Sequence, residues 1–146
     1  MLFVSASALD AASGGTHKRR DLRGVFYRNP LAAIAFTLGG VNLVGVPLLN
    51  VFVTKIMLAE AAFDAGGLHM VITLTAMVIS TLLNAQYFLG TIQNFYSPKP
   101  DDALGRMKNS PSLTVGLIGF IVLNFAMGVF GSQVLDVMVA GLAHFA

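Results

Sequence analysis

Charged side chains are missing from three long stretches of this chain, 29–54, 65–98 and 109–135, and short polar clusters separate them. Uncharged runs of this length suit the hydrocarbon core of a bilayer, about 30 Å thick, which a helix crosses in about 20 residues. Residues 1–9 are apolar but too short to cross, and they read as the end of a helix that begins upstream. Residues 10–29 form a polar connector. Pro30 opens the next helix, where its missing amide costs nothing, and apolar sequence continues to Phe63. One straight helix over that span would be roughly 50 Å long. That is too long for one crossing, while two crossings would leave the second too short. Gly39, Gly40, Gly45 and Pro47 offer a third solution, a single crossing over 30–63 made of two half-helices around a non-helical break. Residues 68–95 predict a second crossing. A loop over 97–111 leads through Ser110 and Pro111 to a third crossing over 112–136, followed by a tail at 137–146. The predicted fold is an all-α integral membrane domain, 1–146. It has three transmembrane crossings after a short N-terminal helix remnant, and the first of the three is discontinuous.

Composition points the same way. Of 146 residues, 55% are hydrophobic and 11% charged, and the mean hydropathy is +0.75. Soluble domains carry about 25% charged residues, and a water-soluble core of this size cannot hide so much apolar surface. The lipid bilayer is the expected solvent. A net charge of +2 is too small to suggest a nucleic-acid partner. There are no cysteines, so disulfides, thiolate metal sites and cysteine nucleophiles are excluded. His17, His69 and His144 are too far apart to suggest a metal motif. No phosphate loop, dinucleotide fingerprint or nucleophile elbow is present. No cofactor and no catalytic chemistry are expected within the chain.

The basic residues sit in loops. The connector carries Lys18, Arg19, Arg20, Arg23 and Arg28, and the loop before the last helix carries Lys99, Arg106 and Lys108 against Asp101 and Asp102. Short loops rich in Lys and Arg stay in the cytoplasm. If 30–63 crosses once, both basic loops fall on one side and the acidic turn at Glu60 and Asp64 falls on the other. The chain is thus expected in a bacterial or archaeal inner membrane with both basic loops cytoplasmic.

Lys55 stands alone inside apolar sequence, just after the break. A Lys near the middle of a bilayer costs roughly 2.5–3.5 kcal/mol on insertion scales, and such residues face a bundle interior or a hydrated path. A broken helix beside an ionisable group recurs in ion transporters, where helix ends and unpaired carbonyls hold ions. The bland alternative is a side chain that snorkels to the interface. On the second crossing, helical spacing puts Thr73, Ser80, Asn84, Tyr87 and Thr91 on one face. That face reads as interhelical hydrogen bonding or as the wall of a hydrated path. Glu60 and His69 lie at the acidic end. Gly116, Gly119, Gly128 and Gly131 with Ser132 make the last helix a packing surface.

The run from Asn29-Pro30 through Gly39-Gly40, followed by Gly45-Val46-Pro47 and Phe52-Val53-Thr54-Lys55, resembles the antiporter-like subunits of respiratory complex I, membrane-bound hydrogenases and Mrp-type cation/proton antiporters. The D-type component of the Mrp antiporters looks most similar. Leu82-Leu83-Asn84-Ala85-Gln86-Tyr87 and the Asp21-Leu22-Arg23-Gly24 entry to Arg28-Asn29-Pro30 resemble that group as well. The resemblance covers nearly the whole chain but only the final third or so of a family member. It implies a discontinuous helix whose break runs from Gly45 to Asn50, and a role for Lys55 in a hydrophilic proton axis. Asn84, Ser80, Thr73, Glu60 and His69 are further candidates for that axis. The implied partners are other membrane subunits that supply the missing helices. The implied cargo is protons, with Na+ or K+ as the exchanged ion, within a complex that can be redox-linked. The alternative is a non-conducting structural subunit that packs against the helices of such a complex.

The charge pattern yields a topology test. Cysteines introduced at Arg20 and Lys108 should be labelled by a membrane-impermeant maleimide from the same face. Labelling from opposite faces would overturn the single broken crossing.

Overall fold

The residues that punctuate the sequence also punctuate the backbone. A computed structural model describes residues 1–13, 22–98, 107–131, 133, 134, 137 and 141, and these form six helices with no strand. They are α1 (Leu2–Ser13), α2 (Val25–Arg28), α3 (Pro30–Val44), α4 (Asn50–Ala65), α5 (Gly67–Tyr96) and α6 (Pro111–Val129). Pro30 and Pro111 each occupy a first turn, behind a side chain that caps it. The Ala32 amide donates to Asn29 Oδ1 at 3.2 Å and the Leu113 amide to Ser110 Oγ at 3.3 Å. Gly66 and Gly67, at φ 63° and 55°, turn α4 directly into α5.

Three boundaries differ from those the sequence predicts. The N-terminal helix does not stop at Leu9 but runs to Ser13, because Leu9 and Ala12 share a face that is fully buried. The connector holds a helix of its own, α2, entered from Gly24 at φ 77°. The last helix bends at Phe130 and is helical again at Gly131. The basic run from His17 to Asp21, the charges from Lys99 to Arg106, and Ser132, Asp136 and His144 lie outside the described residues.

α5 is the longest element, 30 residues, or about 45 Å. α3 and α4 lie along it in succession and antiparallel to it. Phe36 meets Phe95 and Phe88 with ring centroids 5.1 and 5.9 Å apart. Thr37 and Tyr96 share a hydroxyl hydrogen bond of 3.2 Å. Gly40 presses against the Phe88 ring, and further along Lys55 of α4 reaches Thr81. α6 runs in the direction of α3 and α4. Asn109 pairs with Asn29, Gly128 sits against Leu48, and Gly131 against Val53. α1 closes the other side of α3, where Gly39 accommodates Leu2.

The main buried cluster, with Leu9, Ala12, Val25, Ala32, Ala33, Ala35, Phe95 and Leu117, lies at one end of the bundle, while Leu49, Ala62 and Phe88 are buried apart from it. Alanines on α3 let neighbouring backbones approach closely. Elsewhere the apolar surface faces outward. α5 and α6 are long and apolar enough to cross a membrane, and only 0% and 6% of their most apolar windows are buried within the chain. Neither is an N-terminal leader or the covered core helix of a soluble domain. Exposed apolar surface on that scale suits lipid or neighbouring membrane helices.

At the buried end, Asn29 carries two tasks. It is 2% exposed, caps α3, and exchanges a reciprocal pair of carboxamide hydrogen bonds with Asn109 at 2.6 and 2.9 Å. Asn29→Ala should lower stability by about 2 kcal/mol, through loss of the cap and of the pair. Asn109→Ala, which removes the pair alone, should cost about half as much. Unfolding titrations with dodecyl sulfate in mixed micelles would measure both. Equal losses would show that the cap contributes little.

Candidate functional site

A helix that stops inside apolar surroundings leaves carbonyls that need partners. α3 stops at Val44 because Gly45 turns to φ 91°, a left-handed conformation that glycine tolerates. The Gly45 amide folds back on the carbonyls of Asn42 and Val41 at 2.9 and 3.2 Å, and the Val46 amide on Val41 at 3.4 Å. The next carbonyl, that of Leu43, would ordinarily receive an amide from residue 47. That residue is Pro47, which has none. The carbonyls of Leu43 and Val44 therefore project beyond the helix end.

Lys55 covers both. Its ammonium donates to Val44 O at 2.7 Å and to Leu43 O at 3.5 Å, and it makes a third bond to Thr81 Oγ1 at 2.7 Å. Thr81 passes its own hydroxyl proton to Met77 O at 2.8 Å, so a lone pair is turned toward Lys55. The positive charge lies at the negative end of the α3 dipole. Gly45 makes room for it, since a Cβ there would lie 2.9 Å from Lys55 Cδ and 3.0 Å from Nζ.

The second half-helix is capped in return. The Val51 amide at the start of α4 donates to Asn42 Oδ1 at 3.1 Å, across the break. Each half-helix thus supplies the cap of the other: Lys55 from α4 closes α3, and Asn42 from α3 closes α4. Between them Leu48 takes φ 74°, the one positive φ at a non-glycine residue among those described. A β-carbon is disfavoured there. Gly128 of α6 packs directly on this turn, where a Cβ would strike the Leu48 carbonyl and approach the Leu49 carbonyl carbon to 2.9 Å.

The structure gathers some of the expected residues and separates others. Lys55, Gly45 and Pro47 meet at the break, and Asn50 is the first residue of α4. Thr73 and Asn84 are half-buried on the inner side of α5 and Thr91 is buried, but Ser80 and Tyr87 are exposed. The inner face runs through Thr73, Met77, Thr81, Asn84 and Phe88, so the stripe drawn through Ser80 is rotated by one position. Thr81, which helical spacing alone does not single out, is the α5 partner of Lys55. A signal for it was available: the Gly66–Gly67 turn brings Lys55 and Thr81 to similar depths. Glu60 and His69 are exposed and do not bond Lys55. Glu60 instead lines a cavity of ≈ 520 Å³ with Pro47, Leu48, Phe52 and Gly128 on the α6 side of the break. On α6, Gly128 and Gly131 are packed, whereas a Cβ on Gly116 or Gly119 would meet nothing within 4 Å. The expected packing surface is therefore confined to the C-terminal part of that helix. Among the described residues no three His, Asp or Glu side chains gather as a metal site.

The site holds one positive charge on neutral oxygens, in a position where its loss would leave two carbonyls bare. It has the parts to bind and release a cation or a proton, and no nucleophile or redox group is among Lys55's partners.

Comparison with known proteins adds a lineage. The membrane family described as NADH:quinone oxidoreductase/Mrp antiporter matches residues 1–81. NADH-quinone oxidoreductase subunit N 1 of Streptomyces griseus subsp. griseus is 36% identical, over 70% of this chain and 23% of that protein. The protein of that name from Solibacter usitatus is 28% identical over 92% of this chain and 27% of its own length. That from Symbiobacterium thermophilum is 28% identical over 97% and 30%. These relatives carry the subunit N name, where the sequence motifs looked most similar to the D-type Mrp component. The chain spans about a quarter of the length of the curated relatives it matches. No solved structure matches it.

The glycine contacts predict a contrast. Gly128→Ala should destabilise the chain by about 1–3 kcal/mol through overpacking against the break. Gly119→Ala, in open space, should be neutral or stabilising by about 0.5–1 kcal/mol through helix propensity. Dodecyl sulfate unfolding midpoints of the two variants would decide, and equal shifts would mean that Gly128 does not pack on the break.

Proposed function

The chain belongs to the NADH:quinone oxidoreductase/Mrp antiporter membrane family, and on that premise we propose that it contributes the lysine-bearing broken crossing of a proton-translocating antiporter-like subunit. Lys55 takes up a proton and gives it up as hydration and neighbouring charges change. The observation that carries this reading is the ammonium seated between the α3 carbonyls and Thr81. An ionisable group at a helix break inside apolar sequence is costly and marks an ion path.

Further parts of the proposal follow from chain length and charge. α3 and α4 make one crossing, α5 the second and α6 the third, with both basic loops on the cytoplasmic side of an inner membrane. The chain works with other membrane subunits, as the subunit names of its relatives suggest. Those partners cover the apolar faces that α5 and α6 leave exposed. Asn84 and Thr73, on the inner side of α5, extend the hydrophilic axis away from Lys55. The transported ion is the proton, exchanged in an antiporter setting for Na+ or K+.

One observation favours a second reading. The hydrogen bonds of Lys55 are complete as they stand, so the same geometry serves a permanent cap in a non-conducting structural subunit. Substitution separates the two. In the assembled complex, Lys55→Met should reduce proton flux to the level of protein-free liposomes. It should cost about 1–3 kcal/mol of stability, because two carbonyls lose their donor. Lys55→Arg keeps the charge but hardly releases its proton, so it should assemble normally and still turn over poorly. Near-normal flux in Lys55→Met at matched expression would assign Lys55 to the structural role.

A further inference from the structure

The three partners of Lys55 Nζ share a property that a proton-transfer role does not require. Each presents only an acceptor. The carbonyl of Leu43 faces Pro47, which has no amide to give, and the carbonyl of Val44 is the last of α3, where Gly45 and Leu48 turn the chain away. The Thr81 hydroxyl has its proton committed to Met77. The two shortest contacts, both 2.7 Å, match charge-assisted hydrogen bonds. They converge on one point at the negative end of a 15-residue helix.

We infer that these three oxygens form a monovalent-cation site, held by the Lys55 ammonium in the resting chain and open to a potassium-sized cation when that ammonium is neutralised or withdrawn. An ammonium group and a potassium ion are close in size and carry the same charge. Both exchange water for carbonyl and hydroxyl oxygens with little penalty, which is how carbonyl-lined filters and broken transporter helices receive such ions. Among the described residues no carboxylate bonds Lys55, so one positive charge satisfies the site. Divalent ions, which call for several charged oxygen ligands, are poorly matched. The Lys55 stem marks the way in, passing over Gly45 where any Cβ would block it. Water fills the coordination positions that the three oxygens leave open.

For the unmodified chain this deepens the proposed function and rests on it. When a proton leaves, the ammonium becomes a neutral amine and the oxygens lose their cation. An entering K+ restores it, and when the amine is protonated again it displaces the metal ion. One positive charge leaves as another arrives, and no bond other than N–H is made or broken. The site itself is testable without transport.

The experiment uses the full chain in lipid nanodiscs at neutral pH, followed by circular dichroism on heating. Potassium chloride is compared with N-methylglucamine chloride at equal ionic strength. Lys55→Ala should gain roughly 3 °C or more in its unfolding midpoint with potassium, in a saturable way. Lys55→Met, which keeps the stem packed over Gly45, provides the second variant and should show the same sign. The unmodified chain, already occupied, should shift far less. Adding Thr81→Val to either variant should remove the gain. No potassium-specific shift in either variant would overturn the inference. A shift as large in the unmodified chain, or one that survives Thr81→Val, would do so too. If Lys55 conducts no protons, flux in the Lys55→Met complex stays normal while the potassium shift persists, so the two readings fail separately.

Discussion

Backbone carbonyls left without amides inside an apolar environment are the constraint around which the rest of this chain is arranged. Gly45 and Pro47 create them by ending α3 early and withholding the next amide. Lys55 and Thr81 answer that deficit, and Asn42 answers the complementary one, an amide without an acceptor at the start of α4. Lys55 brings its charge to the helix end, Thr81 turns a lone pair toward it, and Asn42 gives α4 a cap across the gap. The cost of a charge in the membrane and the cost of bare carbonyls offset one another. Neither alone would be tolerated well. Together they make a site whose stability depends on its state of charge.

The remaining helices hold this site in register. α5 runs alongside both half-helices, so one unbroken element aligns two broken ones. α6 places Gly128 on the turn and Gly131 on Val53. The dense core is at the other end, under Asn29 and Asn109. Cavities flank both ends, one of ≈ 340 Å³ beside Leu9, Phe36 and Phe95 and one of ≈ 520 Å³ beside the break, while the buried side chains concentrate at the first. Local stability falls where burial is thin.

Much of this was legible in the sequence, and the reasons for success and failure are physical. Pro30, Pro111 and the Gly45–Pro47 pair act locally, through φ and a missing amide, so their effects can be read without a neighbour. Lys55 was conspicuous because a lone charge in apolar sequence has few explanations. Thr81 was missed because its role depends on the rotation of α5 about its axis. On an ideal helix Ser80 lies about 20° from the line of Thr73 and Thr81 about 80°, so spacing favours Ser80, and only packing against α4 selects Thr81. Asn42 was missed because its cap lies across a turn, on a different helix. The extension of α1 past Leu9 was hidden by Asp10, one half-buried charged residue in a helix whose buried face continues to Ala12. Gly116 and Gly119 looked like packing residues on composition alone, and no neighbour comes close to either.

The bend at Phe130 has a mechanical meaning. α3 and α6 are fastened at two levels, Asn29 to Asn109 and Leu48 to Gly128, and two fixed points make a beam. At the second fastening the two sides differ: α3 has ended at Val44 and α4 begins only at Asn50, whereas the chain after α6 merely bends at Phe130. The Phe130 amide still reaches Ala126 O at 2.8 Å and the Val134 amide reaches Phe130 O at 3.0 Å, so the beam is cut on the α3 side alone, and the Lys55 side chain is the splice laid across that cut.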